Sequence, residues 1–195
     1  FPNTDYLDCH NDPANTRTVG DKSVPLELFT TNRFDKSVHA KLNCVDCHRG
    51  MTDLVHDSDL PEPSCSGCHE PAATHDKAAK DYSMSIHGAS HARGASGAAT
   101  CWDCHGSHDM PPVKDPQSRV FKLNQPRTCA ACHSNPGLTK EYRMHFPEAA
   151  NQYMDSIHGM KLLKQGLIVA PSCADCHGAH DIKRAVDRDA PINKA

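Results

Sequence analysis

Five runs of Cys-x-x-Cys-His punctuate the 195-residue chain. They are Cys44-Val45-Asp46-Cys47-His48, Cys65-Ser66-Gly67-Cys68-His69, Cys101-Trp102-Asp103-Cys104-His105, Cys129-Ala130-Ala131-Cys132-His133 and Cys173-Ala174-Asp175-Cys176-His177. A sixth run, Tyr6-Leu7-Asp8-Cys9-His10, lacks only the first cysteine. Two thiols at this spacing add across the vinyl groups of a haem, and the histidine that follows is held under the iron as an axial ligand. Zinc is the competing chemistry, because paired Cys-x-x-Cys runs also build four-cysteine structural sites. Zinc needs no histidine after every pair, however. Histidine is 15 of 195 residues, so five chance matches in five have odds below about one in a hundred thousand. The motifs therefore point to haem c and not to zinc.

The chain has 11 cysteines and the five pairs use ten. The remaining one is Cys9. Asp8-Cys9-His10 matches Asp46-Cys47-His48, Asp103-Cys104-His105 and Asp175-Cys176-His177. The expectation is a sixth haem held by a single thioether at Cys9, with Tyr6 in the place of the missing thiol and His10 as ligand. The alternative is a free cysteine beside a surface histidine.

A longer repeat frames the motifs. Tyr82-Ser83-Met84-Ser85-Ile86-His87-Gly88 leads to Cys101, and Gly106-Ser107-His108-Asp109 follows His105. Tyr153-Met154-Asp155-Ser156-Ile157-His158-Gly159 leads to Cys173, and Gly178-Ala179-His180-Asp181 follows His177. A shorter version precedes and follows Cys44, with Ser37-Val38-His39 before it and His56-Asp57 after it. A fixed period marks a repeated structural unit. The motifs at Cys44, Cys101 and Cys173 carry this frame and form a first kind. Those at Cys65 and Cys129 follow Pro-containing loops and form a second kind. The two alternate, which puts Cys9 in a second-kind position.

Ligand arithmetic follows. The proximal histidines are His10, His48, His69, His105, His133 and His177. The repeat selects six more: His39, His87 and His158 before first-kind motifs, and His56, His108 and His180 after them. Six irons and six further histidines match bis-histidine ligation throughout. His75, His91 and His145 are left over, with His75 a substitute for His56. His108 and His180 lie three residues after a proximal histidine, a reach of at most about 10 Å. That is too short to pass around a porphyrin edge, so each would serve a different haem from its own. Methionine ligation would raise the potential, but the six methionines hold no independent place in the repeat.

The elements that position these residues are sparse. Hydrophobic residues are 37% and aromatics 5%, against the roughly 45–50% apolar content of ordinary domains, a count that includes glycine. Haem plates supply the missing interior. The fold class expected is mostly irregular with a few α-helices, packed around haem, with little or no β-sheet. It forms a single domain, 1–195, of repeated units near 1–70, 71–140 and 141–195. One helix is expected from Pro71 to about Gly88, with proline at its first position. Another is expected from Pro147 to about Gly166, stopped by the glycine. It would set His158 on one face with Met154 and Leu162.

The formal charge of -3 gives no reason to expect nucleic-acid binding. No apolar run approaches the length of a membrane span. No signal peptide stands at Phe1, so the sequence reads as beginning after processing or as trimmed.

The Tyr-x-x-Ser-Ile-His-Gly and Cys-x-Asp-Cys-His-Gly-x-His-Asp runs, over about residues 37 to 182, resemble those of multihaem c-type cytochromes from anaerobic, metal- or sulfur-respiring microbes. The resemblance implies periplasmic or extracellular electron transfer, to other redox proteins or extracellular acceptors, and for some members polymerisation into haem-lined filaments. Histidines numerous enough to close every iron fit an electron conduit and not an enzyme. A multihaem reductase, or its electron-feeding subunit, is the alternative. With Cys9 as an orphan second-kind site and Cys173 as an orphan first-kind site, head-to-tail stacking of copies would restore the alternation.

Overall fold

The computed structural model describes residues 1–26, 28–29, 31–56, 60–70 and 77–193. Its regular structure is helical and short, apart from one two-stranded hairpin. The start of the first expected helix at Pro71, together with His75 and Asp57, lies outside the described residues.

The chain forms two compact units. The first comprises Phe1–Cys65 and His108–Met110. Its helix Asn3–His10 carries Cys9 and His10 on the last turn. Asn3 ties this helix to the next motif: its Oδ1 accepts from the Cys44 N–H at 2.8 Å, and its Nδ2 donates to the Leu42 carbonyl at 3.1 Å. The strands Thr16–Val19 and Lys22–Pro25 pair antiparallel. Gly20 begins their two-residue turn with φ +59°, a backbone region that glycine enters without steric cost. No alternating pattern had announced this hairpin, because seven of its eight strand residues are exposed and neither strand has a face to bury. The segment His108–Met110 joins this unit through the Val38 N–H, which donates to the Met110 carbonyl at 2.9 Å, and through an Arg33–Asp109 ion pair.

The second unit comprises Ser66–Ser107 and Pro111–Ala195. Here the two long helices expected from the sequence are each broken at a serine. The first runs Ala78–Met84, then Ile86–His91. The second runs Ala149–Asp155, then Ile157–Gly159, then a π-helical turn Met160–Lys164. Ser85 and Ser156 have nearly identical extended conformations, φ -73°, ψ 166° and φ -72°, ψ 165°. Each hydroxyl donates back to a tyrosine carbonyl, of Tyr82 or Tyr153, at 2.7 Å. Each also caps the following turn by accepting from Gly88 or Gly159 N–H. A serine that satisfies the end of one helix and the start of the next stabilises the corner. The glycines complete it: a Cβ on either would lie 2.1 Å from the same tyrosine carbonyl oxygen.

The break corrects the expected helix face. Leu162 is fully buried whereas His158 is exposed. The serine corner and the change of register in the π turn separate residues that an unbroken helix would have aligned. Gly166, with φ +64°, ends the helical segment where the sequence indicated.

Among the described residues the buried hydrophobic side chains are Tyr6, Ala150, Leu162, Ala170 and Ala190. Three of the five are alanines. Such a set is too small to hold a chain of this length by itself, since side-chain burial must offset the conformational entropy of ordering the backbone.

Candidate metal centres

The first-kind motifs share a local device. Cys44–Cys47, Cys101–His105 and Cys173–His177 each form about one helical turn. Their caps are Asn43, Thr100 and Ser172, and the third helical residue is the motif aspartate, Asp46, Asp103 or Asp175. In each case the carboxylate accepts from the cap backbone N–H at 2.7 Å. This reciprocal cap explains the aspartate in Cys-x-Asp-Cys-His: it holds an isolated turn that would not persist alone. Tyrosine hydroxyls brace two of these turns from outside, Tyr82 to the Ala99 carbonyl at 2.9 Å and Tyr153 to the Pro171 carbonyl at 2.7 Å. After His105 and His177, Gly106 (φ +88°) and Gly178 (φ +80°) turn the chain toward His108 and His180.

Among the described residues four histidine pairs result. His10 and His56 have ring centres 6.0 Å apart. His48 and His108 are 6.1 Å apart, and His105 and His180 are 5.9 Å apart. His87 and His133 are 6.1 Å apart. An imidazole nitrogen lies about 2 Å from its metal and about 1 Å from its ring centre, so two rings on opposite sides of one iron have centres about 6 Å apart. Rings sharing a tetrahedral metal would be closer, about 5 Å. The planes range from 12° for His105–His180 to 64° for His87–His133. Among the described residues no group of three or more His, Cys, Asp or Glu side chains gathers as a metal site. The histidines meet in twos, as axial ligation requires.

The pairs follow a rule. A first-kind proximal histidine stands opposite the histidine that trails the next first-kind motif: His48 with His108, His105 with His180. His10 stands opposite His56, which trails the Cys44 motif, so Cys9 behaves as a first-kind site. The placement of Cys9 among second-kind motifs is thereby revised. The second-kind His133 stands opposite His87, which precedes the Cys101 motif. Of the other candidates, His39 lies in the turn after Ser37, whose hydroxyl accepts the His39 N–H at 3.2 Å. His69 ends the helix Ser66–His69 and lies near enough to His105 to influence its charge. His177 lies near His133. His158 is exposed and enters no ring pair among the described residues, and His91 and His145 are exposed.

The electrostatics suit metal binding, which takes the neutral imidazole. Burial pushes the pKa of His10, His48, His87, His105 and His133 below the ordinary histidine value, and a neighbouring histidine pushes each further. Burial does the same for His177. Cysteines of different motifs also meet. Cys129 and Cys173 share a hydrogen bond that raises the first thiol and lowers the second, and Cys104 is close enough to Cys129 to act on it. These sulfurs stand for thioether sulfurs once haem is attached, so the edges of haems on the Cys101, Cys129 and Cys173 motifs would be neighbours.

Tyr6 supplies a separate test of fit. It occupies the missing-cysteine position, and its buried hydroxyl has no hydrogen-bond partner among the described residues. A buried hydroxyl left unpaired costs about 1–3 kcal/mol, so a group from outside the polypeptide suits that spot. Together with the thin core and the ring spacings, this fits haem.

Several positioning residues had escaped sequence reasoning. Phe29 packs edge-on against His108, centres 4.8 Å apart. Gln125 accepts from the Ser172 hydroxyl at 2.5 Å and so braces the Cys173 cap, while Lys122 pairs with Asp175 at 3.0 Å. Nothing in the sequence around Phe29 or Gln125 signals these contacts. The capping aspartates did leave a signal, a Ser/Thr/Asn three residues ahead of an acid.

No curated protein and no solved structure matches the chain. A model of the family described as cytochrome c3 matches residues 36–134, just over half of the 195 residues and a stretch that includes four of the Cys-x-x-Cys-His motifs. The chain therefore belongs to the cytochrome c3 family and is a multihaem c-type cytochrome that transfers electrons.

Proposed function

We propose that the chain is an electron conduit through six covalently bound haems, five held by two thioethers and one by Cys9 alone. The observation that carries this reading is the set of four histidine pairs with centres 5.9 to 6.1 Å apart. Haem c supplies a one-electron carrier at each site. The chain's residues set where the carriers sit. First-kind turns, locked by Asp46, Asp103 and Asp175, aim their proximal histidines. The glycine after His105 or His177 sends the next histidine to a neighbouring site, so ligation ties consecutive motifs together. His39, the counterpart of His87 in the repeat, joins the set of distal ligands.

Attachment of haem c takes place outside the cytoplasm, so the protein is an exported one, working in the periplasm or beyond with other redox proteins or extracellular acceptors. No described helix is long and apolar enough to cross a membrane. Head-to-tail filament formation is a further extension of the same array. Its motive is weaker once Cys9 is grouped with the first kind, because the alternation across chain ends is lost. Electron micrographs showing only discrete particles would exclude it.

A reductase role finds one supporting observation: His177 has no opposing histidine among the described residues. Intact-mass measurement of the holoprotein tests the main reading. The expected result is six haems, falling to five in Cys9→Ser. A wild-type count of five would remove the Cys9 site.

A further inference from the structure

The four histidine pairs are alike in spacing and unlike in angle. The ring planes meet at 12° in His105–His180, 15° in His10–His56 and 32° in His48–His108, but at 64° in His87–His133. The division follows the backbone. His56, His108 and His180, the distal members of the first three pairs, lie on irregular chain. In the crossed pair both rings stand on helices, His87 on Ile86–His91 and His133 at the end of Gln125–His133.

Both carriers are held in place. On one side of His87 the Ile86 N–H donates to the Ile182 carbonyl at 2.8 Å. On the other the Gly88 N–H donates to the Ser85 hydroxyl at 3.0 Å, and Gly88 is pressed against the Tyr82 carbonyl. His133 lies in the last turn of its helix, where the χ1 rotamer that points into the preceding turn is closed. The next residue, Ser134, closes that turn through its N–H to the Ala130 carbonyl at 3.0 Å, and its hydroxyl contacts Asn151 Oδ1 at 3.1 Å.

Axial ligation is one of the levers by which a protein tunes haem iron. Each imidazole donates π density from the orbital perpendicular to its plane into one iron dπ orbital. Parallel rings raise the same orbital, and the ferric hole sits there, well separated from its neighbour. Crossed rings raise different orbitals, which stay close in energy. The ferric state then loses part of its stabilisation, and an electron is taken up more readily. We propose that His87 and His133 hold their haem iron with crossed imidazoles, as an electronically distinct carrier that is more easily reduced than the iron between His105 and His180. Ligand identity is equal at these two sites, so the plane angle enters directly as a difference between them. The sites are also adjoining. The Ile86–Ile182 hydrogen bond links the residue before His87 to the residue two after His180, and Cys104 and Cys129, one from each motif, are close enough to interact. An electron reaching either site settles on the crossed one.

This rests on the histidine pairing proposed above, which the same experiment checks separately. Intact mass first establishes haem loading. The frozen ferric holoprotein is then read by electron paramagnetic resonance, where near-parallel ligands give rhombic low-spin signals and crossed ligands give a large-g low-spin signal. The expected spectrum contains a large-g signal that disappears in His87→Ala, with a high-spin signal in its place. It should persist in His180→Ala, where a rhombic signal is lost instead. Free imidazole added to His87→Ala, and not held by the helix, should return that haem to low-spin as a rhombic signal. In a reductive titration the large-g signal should vanish before the rhombic signal that His180→Ala removes. A loaded His87→Ala protein that stays fully low-spin refutes the pairing itself. If one haem turns high-spin but the signal lost is rhombic, the pairing stands and the crossed site falls. Rhombic signals alone in the wild type overturn the proposal without any variant, as does the reverse order of reduction. Recovery of the large-g signal with free imidazole would overturn the part given to the helix.

Discussion

Residues 82–108 and 153–180 are two copies of one structure that end differently. Both have a serine corner, a glycine pressed against a tyrosine carbonyl, a tyrosine brace and an aspartate-capped motif turn. Yet the His87 ring lies 6.1 Å from that of His133, while His158 lies exposed. Ile86 is hydrogen-bonded through its backbone to Ile182, while Ile157 has no such partner among the described residues. The local structure is therefore the same in both copies. What differs is the partner that each finds among the described residues.

The largest expected effect separates the two copies outright. His87→Ala should turn one low-spin haem of the holoprotein high-spin, read in the visible and paramagnetic resonance spectra. His158→Ala should leave the spectrum of the isolated chain unchanged. Equal effects would end the comparison. Next come the glycines, which should behave alike. A methyl group on Gly88 or Gly159 meets a carbonyl oxygen at 2.1 Å, and relief by backbone movement costs about 1–3 kcal/mol. Thermal unfolding of Gly88→Ala and Gly159→Ala should show losses in that range; a tolerated Gly159→Ala would mean that the last corner is not formed.

The smallest effect sharpens the account of the caps. The Asp175 carboxyl is held below the usual carboxylate range, chiefly by the Ser172 backbone N–H, with help from Lys122 and the Ser172 hydroxyl. Because the folded pKa is the lower one, its stabilisation is present above the ordinary aspartate pKa and fades as pH falls through the folded value. Asp175→Asn should lower stability at neutral pH by about 0.5–1 kcal/mol. The gap to the wild type should close in acid. A gap that stays constant with pH would assign the effect to packing.

Much of this was legible because the chemistry is local. The Cys-x-x-Cys-His spacing, the two kinds of motif and the histidine frame are fixed by short stretches of chain. The helices were less so. Periodicity saw Met154, His158 and Leu162 as one face, but Ser156 can cap as well as continue a helix, and hydrogen bonds to Tyr153 and Gly159 chose the cap. Histidine pairing was legible only in part. The short reach from His105 to His108 argued against its own haem, but which neighbour it meets depends on the distant backbone link between Val38 and Met110. The class of Cys9 could not be read from order along the chain, since it emerges from the position of His56.

The contact between Cys129 and Cys173 bears on how the protein is made. Two adjacent thiols in an oxidising compartment can be oxidised to a disulfide by exchange with a disulfide oxidant, and this one would join two motifs and block both. A thioether formed at either cysteine before the two meet would remove the thiol that such a bond requires. The proximity of two sulfurs thus makes the timing of haem attachment matter at that one place, where late haem supply would be recorded as a covalent error.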